Sequence, residues 1–463
     1  MQDPRLLELR RRLPQLRVLT ARADLAYYGQ DWTRRWIPDP LAVALPADTA
    51  EVQGVVRWAN EQHVAIVPSG GRTGLSGGAV AANGELVLSL TRMQRVLEFN
   101  PIDRLLRVQP GLTLEAAQAA AREHGLIYPV DLGSRGSCSI GGNIATNAGG
   151  LHVIRHGNTR AWIAGLKVVT GAGDLLDLNR GLVKDASGYD LRQLMIGSEG
   201  TLGVVVEALL KLTAPLPASQ VMLLGLPGAD ALMQVFELFR ARVTLQAFEF
   251  FSDRALQHVL DNGVRRALDG EHAYYVVVEF DAALETERQA GEEAFGLAQE
   301  RGWVDDGVVA QSAAQAAALW RLREGITEAL APRGPYKTDV SVRVAAMPQF
   351  MREVQDLLQA AFPQLEVVWF GHIGDGNLHI NLLPPKDMGS EAFGHLRGEA
   401  TSLLAAALSR HGGSISAEHG IGLVKREYLS SSRSAAEIAL MRGIRASFDP
   451  NGILNPGKLF TAD

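Results

Sequence analysis

Three runs of glycine, Gly70 to Gly78, Gly133 to Gly150 and Gly197 to Gly203, constrain this chain more than anything else in it. Glycine reaches φ > 0 at little steric cost, so such runs can turn successive backbone N–H groups toward one centre. The first run, Pro68-Ser-Gly-Gly-Arg-Thr-Gly-Leu-Ser-Gly-Gly78, follows the apolar stretch Val64 to Val67, which reads as a buried strand. A nest of N–H groups there would hold anionic oxygens such as phosphate. Ser69, Thr73 and Ser76 would add hydroxyls. A plain flexible turn is the competing reading. No G-x-G-x-x-G follows a strand, so a Rossmann site is not the first choice. The second run contains Ser139-Ile-Gly-Gly-Asn-Ile-Ala-Thr-Asn-Ala-Gly-Gly150. Its amides and hydroxyls suit a cofactor held by many neutral hydrogen bonds.

With 463 residues the chain is too long for one ordinary core, and two or three domains are expected. A net charge of −6, spread rather than blocked, gives no reason to expect nucleic acid or an anionic membrane as partner. The single cysteine, Cys138, cannot form an intramolecular disulfide and fits a reducing compartment, where it would act as a small hydrophobe. The N-terminal MQDPRLLELRRRLPQL lacks the apolar stretch of a signal peptide, and no apolar run is long enough to span a membrane. A cytoplasmic location is the expectation.

Leu86 to Leu90 reads as a second buried strand, and Thr113 to His124 as a helix capped by Thr113 and ended by Gly125. Near Pro215 and Pro217 the glycine runs stop, which suggests a boundary. A strand–helix–strand pattern begins at Leu223. Ala283 to Leu330 reads as helical, and Val367 to Leu383 as strand. From Ser434 a helix leads into the loop DPNGILNPGK.

The second half carries the chemistry. In Trp369-Phe-Gly-His-Ile-Gly-Asp-Gly-Asn-Leu-His-Ile-Asn381 the Asp375-Gly376 pair predicts a two-residue hairpin turn. That turn would set His372 opposite His379, with Asn381 on the same face. Two neutral imidazoles so placed suit zinc, manganese or iron(II). Ser416-Ala-Glu-His-Gly-Ile-Gly422 offers Glu418 and His419 side by side, and a carboxylate would complete a three-ligand set with an open position. The competing reading makes each histidine a hydrogen-bonded structural residue; the paired arrangement favours function. His152 and His156 carry no role here. Arg323 and Thr327 are i, i+4 neighbours in the helical stretch, and Lys337 follows. Together they would form a carboxylate clamp, unless they are simply a solvated charged face.

The paired glycine runs, with Gly188-Tyr-Asp-Leu191 and Gly197-Ser-Glu-Gly-Thr-Leu-Gly-Val-Val205, resemble the FAD-binding domain of the vanillyl-alcohol-oxidase family from about Pro38 to Pro215. Leu319 to Val342, the hairpin, Ser416 to Gly422 and Asp449 to Pro456 resemble the D-2-hydroxyglutarate dehydrogenase branch more closely than its D-lactate dehydrogenase and glycolate oxidase relatives. The resemblance implies an α+β fold. Residues 1–215 would form the FAD-binding domain, 216–411 a substrate-binding cap with an antiparallel sheet, and 412–463 a segment returning to the FAD domain. It implies FAD contacts from Ser69, Gly70, Gly71, Arg72, Thr73, Gly74, Ser76, Pro129, Asp131, Gly133, Ser134, Ser139, Gly141, Gly142, Asn143, Thr146, Gly150, Glu199, Val205 and Asn455. Arg72 stands where some relatives attach FAD to a histidine, so non-covalent FAD is expected. His372, His379 and Glu418 would be ligands to a divalent metal, zinc first. Arg323, Thr327, Lys337 and Asn381 would hold substrate carboxylates, and His419 would face the flavin as general base.

The implied reaction is oxidation of D-2-hydroxyglutarate, with D-malate as a second substrate, by hydride transfer to flavin N5. An electron-transfer flavoprotein is the implied acceptor and a homodimer one expected assembly. A D-lactate or glycolate dehydrogenase is the nearest alternative. A non-redox flavin transferase and a flavin-free binding protein come from other classes.

Overall fold

In the computed structural model, which describes residues 3–461, the chain forms two compact units. The first is built from the chain up to Gly150, Gly157–Pro215 and the chain from Glu418 onward. The second comprises Leu151–His156 and Leu216–Ala417.

The first unit holds two sheets. In the smaller, Ala42–Leu45 and Ile66–Ser69 both lie parallel to the central Leu86–Ser89, and Arg17–Leu19 joins the edge antiparallel. Parallel strands covered on both faces read as unbroken apolar runs, and Ala42–Leu45 and Leu86–Ser89 are buried throughout. The helix Thr49–Gln62 starts at Asp48, whose side chain accepts the Glu51 N–H. Its Val52, Val55, Val56 and Ala59 follow i, i+3, i+4 spacing and enter a core with Ala42, Ile66 and Leu88. The larger sheet is antiparallel, in the order Val96–Asn100, Leu105–Val108, Gly203–Lys211, Ile163–Thr170, Leu175–Leu178. Gly203–Lys211 separates two cores: Val204 and Val206 face one, Val205, Ala208 and Leu210 the other. Thr113 caps the helix Leu114–Glu123 by accepting the Ala116 N–H, as its sequence predicts.

Residues 453–455 complete the smaller sheet. Leu454 pairs with Ile66 in a parallel bridge: the Ile66 N–H donates to Ile453 O at 2.7 Å, and the Asn455 N–H donates to Ile66 O at 2.7 Å. Ile453 and Leu454 are buried in the core beneath.

The second unit is built on one antiparallel sheet of seven strands. Their order is Asp306–Val309, Ser219–Leu226, Tyr274–Asp281, Leu245–Ser252, Glu366–His372, Asn377–Leu383, Tyr336–Ser341. Every residue of Leu245–Ser252 is buried, because both faces are covered. On one face Phe248 meets Phe236 of the helix Ala229–Arg242. On the other, Phe251 and Val277 join Leu256, Val259, Leu319 and Leu322 of the helices Asp253–Asp261 and Ala313–Glu324. Ala283 to Leu330 is not one helical stretch. The strand Asp306–Val309 interrupts it, because Gly302 (φ +69°) ends the helix Glu285–Glu300 and Gly307 lets Phe295 pack against the strand. No helix among the described residues is long and apolar enough to cross a membrane.

Phe251 is fully buried and stacks on Tyr275 at 5.4 Å between ring centroids. Replacing it with Ala should cost about 3–5 kcal/mol. Urea unfolding followed by circular dichroism should show a lower midpoint for Phe251→Ala, with the folded spectrum retained.

Candidate active site

The first two of the three glycine runs meet each other in the first unit. A Cβ on Gly70 would fall 2.2 Å from Ser139 Oγ, and one on Gly71 would fall 2.1 Å from Ser137 O and 2.8 Å from Cys138 Cα. These glycines therefore serve close approach. The left-handed backbone expected of them falls instead on Arg72 (φ +58°) and Gly77 (φ +81°). The Arg72 guanidinium lies over Tyr27 and Tyr28, at 4.3 and 4.8 Å from the ring centroids, where a carbon side chain would forgo cation–π attraction. Thr73 is half-buried and Gly74 exposed. Buried Ser76 accepts the Leu423 and Val424 N–H groups at its carbonyl.

Ser139 caps the short helix Ile140–Thr146 by accepting the Gly142 N–H at 3.3 Å, and Gly141 packs against Pro110. Asn143 is buried, and Thr146 Oγ1 donates to Gly142 O. Gly150 (φ +145°) admits Asp131 O, which a Cβ would meet at 1.8 Å. Pro129 is buried, Ser134 half-buried and Gly133 exposed, and the Asp131 carboxylate is taken by Arg135. Glu199 is buried, and its carboxylate accepts the Ile421 and Gly422 N–H groups at 2.7 and 2.8 Å. Burial pushes that carboxyl up, against both hydrogen bonds. Asn455 (φ +45°) donates through Nδ2 to Gly78 O and Glu199 O. Val205 lies in the strand between the two cores.

A flavin nucleotide fits this ground. Ser69 Oγ and Asn455 Oδ1 are buried without a hydrogen-bond partner, and such groups cost free energy until one is supplied.

In the second unit, cross-strand register puts most of the other candidates on one sheet face. Glu366–His372 and Asn377–Leu383 pair with Phe370 opposite His379 and His372 opposite Asn377. The expected two-residue turn is a four-residue one, because Ile373–Asp375 takes a single 3-10 turn before Gly376 (φ +84°). His379 is therefore the diagonal neighbour of His372 rather than its direct partner. The shared face survives, since a shift of two keeps the side-chain direction. The rings meet edge-on at 5.3 Å between centroids, and their ligand nitrogens lie within 4.8 Å. The next pairing extends the row: Asn381 opposes Lys337 and His379 opposes Asp339.

Arg323 and Thr327 do not form the expected pair on one helix. The helix Ala313–Glu324 ends between them at Gly325, and Thr327 belongs to Ile326–Leu330. Arg323 is buried and Thr327 exposed. Arg323 lies over the Phe370 ring at 4.9 Å, and its Nε has no hydrogen-bond partner. Half-buried Lys337 has its ammonium pKa lowered by desolvation.

Two buried carboxylates missing from the sequence reading stand beside the histidines. Glu249 is directly opposite His372; its Oε1 lies 2.7 Å from His372 Nδ1 and its Oε2 2.9 Å from Arg323 Nη2. Burial alone would lower the His372 imidazole, but the charge and hydrogen bond of Glu249 prevail and push it up to about 9. Asp339 is fully buried, accepts from Asn377 Nδ2 at 2.9 Å, and has Oδ1 3.9 Å from His379 Nδ1. A lone carboxylate in the apolar run Ala247-Phe-Glu-Phe-Phe251 was the signal for Glu249. His372 and His379 fit a divalent cation by their donor chemistry, with Nδ1 of His372 already engaged.

Glu418 and His419 open the returning segment of the first unit, their side chains 3.8 Å apart. The residues just before them belong to the second unit. There Ser414 pairs with Ser341, and the Ala417 N–H donates to Asp339 O. His152 and His156 lie in the short excursion Leu151–His156 into that unit, and burial first, then neighbouring positive charge, brings His156 down to about 4.

Residues 40–179 match the FAD binding domain family, and residues 216–459 match the family described as FAD linked oxidases, C-terminal domain. The chain belongs to the FAD-linked oxidase family and is an FAD-dependent oxidoreductase. It is 65% identical over 460 residues to the D-2-hydroxyglutarate dehydrogenase of Xanthomonas citri pv. viticola, covering 99% of this chain and 98% of that one. It is 49% identical over 464 residues to the D-2-hydroxyglutarate dehydrogenase of Stutzerimonas stutzeri, covering 100% of both. Among solved structures, p-cresol methylhydroxylase with substrate bound superposes with a TM-score of 0.79 at 16% identity, over 99% of this chain and 96% of that one. At that identity the likeness is one of fold, and it bears out the α+β architecture of the vanillyl-alcohol-oxidase type.

Gly71→Ala tests the close approach of the glycine runs. Overpacking of about 1–3 kcal/mol corresponds to a roughly 5- to 150-fold loss of FAD affinity if the loop must shift. Fluorescence titration of the apoprotein with FAD measures it.

Proposed function

We propose that this enzyme oxidises D-2-hydroxyglutarate, and more slowly the shorter D-malate, to the 2-oxo acid. One observation carries the reading: a single sheet face brings together two imidazoles, Asn381 and Lys337, and Arg323 is buried beside it with a donor to spare. A dicarboxylate bearing a hydroxyl matches that inventory, whereas a monocarboxylate leaves one cation unused. The names of the two bacterial relatives support the same substrate.

Non-covalent FAD supplies the hydride acceptor when bound. His372, His379 and Glu418 would hold a divalent cation, zinc first, whose chemistry is to make a coordinated hydroxyl more acidic.

Arg323 offers its unpartnered Nε–H to a substrate carboxylate, and Lys337 adds a flexible point charge. An anion beside Lys337 would offset the desolvation that lowers its pKa. Asn381 Nδ2 can donate to a substrate oxygen, and Thr327 would close the clamp from its exposed position. Fixing the carboxylates fixes C2, which is where orientation contributes to rate. His419 accepts the hydroxyl proton at a ring nitrogen as the C2–H bond breaks. The electrons taken from substrate would need an external acceptor, for which an electron-transfer flavoprotein is the proposed partner.

The deciding experiment is anaerobic flavin bleaching by D-2-hydroxyglutarate, with D-lactate alongside. Rapid bleaching by the dicarboxylate is expected; bleaching by D-lactate alone would overturn the clamp, and bleaching by neither would overturn the reaction. His419→Ala should stay yellow while turnover falls by about 10²–10⁴. Lys337→Met should raise KM for the dicarboxylate by about 10- to 100-fold, the worth of a hydrogen bond to a charged group, with a far smaller change in kcat. Steady-state kinetics with an artificial dye acceptor reads both.

A further inference from the structure

We infer that Glu249 is a positioning residue that ties the metal-ligand histidine to the substrate-binding arginine, so that metal affinity and substrate affinity depend on one buried carboxylate. The inference rests on the reading above of His372 and Arg323. Glu249 lies in the middle of Leu245–Ser252, a strand with no exposed residue, and is itself 1% exposed. Its flanking side chains are Phe248 and Phe250. A carboxylate is not kept in such a place for solubility: one oxygen is hydrogen-bonded to His372, and the other makes no hydrogen bond and is held by its ion pair with Arg323. Oε1 lies 2.7 Å from His372 Nδ1, and Oε2 lies 2.9 Å from Arg323 Nη2.

The two contacts act on different groups. With Nδ1–H donating to Glu249, the His372 ring is held in one orientation and Nε2 is the nitrogen left for a cation, which takes the place of the proton there. The second oxygen holds one Arg323 nitrogen and leaves Nε–H without a partner. Phe370 supports the guanidinium from its face, so the arginine is fixed on two sides. The cross-strand register makes this coupling possible. Glu249 is directly opposite His372, and on the same strand Phe251 is opposite Phe370.

A carboxylate is the only side-chain group of its size that presents a negatively charged oxygen on both sides, one to the His372 N–H and one to the Arg323 guanidinium. In Glu249→Gln one end of the amide is NH₂, and whichever way the amide turns, that end faces a donor: His372 Nδ1–H or the Arg323 guanidinium. One substitution of nearly equal volume therefore disturbs both functions. Glu249→Asp keeps both acceptors but is one methylene short, and should fall between wild type and Gln.

The test uses full-length, FAD-loaded wild type, Glu249→Gln and Glu249→Asp. Zinc affinity is measured without substrate, by competition with a chromophoric chelator. KM and kcat for D-2-hydroxyglutarate are measured at saturating zinc. Flavin content and thermal unfolding report on folding. The expected result is a zinc affinity about 10- to 100-fold weaker in Glu249→Gln, the usual effect of losing a partner to a ligating histidine. KM at saturating zinc should also rise by about tenfold or more, with flavin content unchanged and Asp intermediate in both readouts. Glu249→Gln with wild-type zinc affinity and wild-type KM would overturn the inference and leave the proposed function standing. Should Gln not fold, Glu249→Asp with both values at wild-type level would overturn it equally. A wild-type protein that takes up no zinc, manganese or iron(II) would overturn the metal reading, and the inference with it.

Discussion

The buried charges of the second unit's candidate site depend on neutralising one another inside a largely apolar sheet. Glu249, Arg323, His372 and Asp339 lie where water does not screen them, and each would be prohibitively costly alone. They are tolerated as a group because antiparallel register sets Glu249 opposite His372 and Asp339 opposite His379, and Arg323 reaches Glu249 from a neighbouring helix. Stability argues against such an arrangement, since an aliphatic core of the same volume would serve the fold as well or better. Its retention therefore points to chemistry. The helix Ala313–Glu324 brings Arg323 to the same face as Glu249, and Leu319 and Leu322 of that helix anchor it in the neighbouring core.

The first unit solves a different problem, that of bringing backbone close to backbone. Gly70, Gly71 and Gly150 are needed because oxygen atoms occupy the space a methyl group would take. Strain is borne by others, and Arg72, Glu199 and Asn455 all take left-handed backbone without being glycine. Each is held there by partners: tyrosine rings over Arg72, two backbone N–H groups on Glu199, and two carbonyls on Asn455. Positive φ at non-glycine residues persists where the surroundings over-determine it, commonly near bound ligands.

Much of this was legible in the sequence, and what was missed was missed for physical reasons. The capped helix after Thr113, the buried strands at Ile66 and Leu86 and the final helix after Ser434 follow from local signals, which act within a few residues. The shared face of His372, His379 and Asn381 also follows, because it needs only a period of two. The hairpin register did not, since Asp-Gly marks a turn without fixing its length. Arg323 and Thr327 were read as one helix face because Gly325 looks tolerable within a helix and there divides two. Glu249 and Asp339 escaped because their partners, His372 and His379, are 123 and 40 positions away in sequence. Only the strand order brings them together.

The bridge between Leu454 and Ile66 has a bearing on how the molecule comes into being. A ribosome emits this chain from the N-terminus, and the sheet of the second unit has all its strands once Leu383 has emerged. The first unit must wait. Its parallel sheet lacks the neighbour of Ile66, and its core lacks Ile453 and Leu454, until those residues leave the tunnel. Closing so long a loop late is slow and leaves apolar surface uncovered in the interval. The unit begun first is thus closed after the second, and residues 453–455 act as the clasp that ends that exposure.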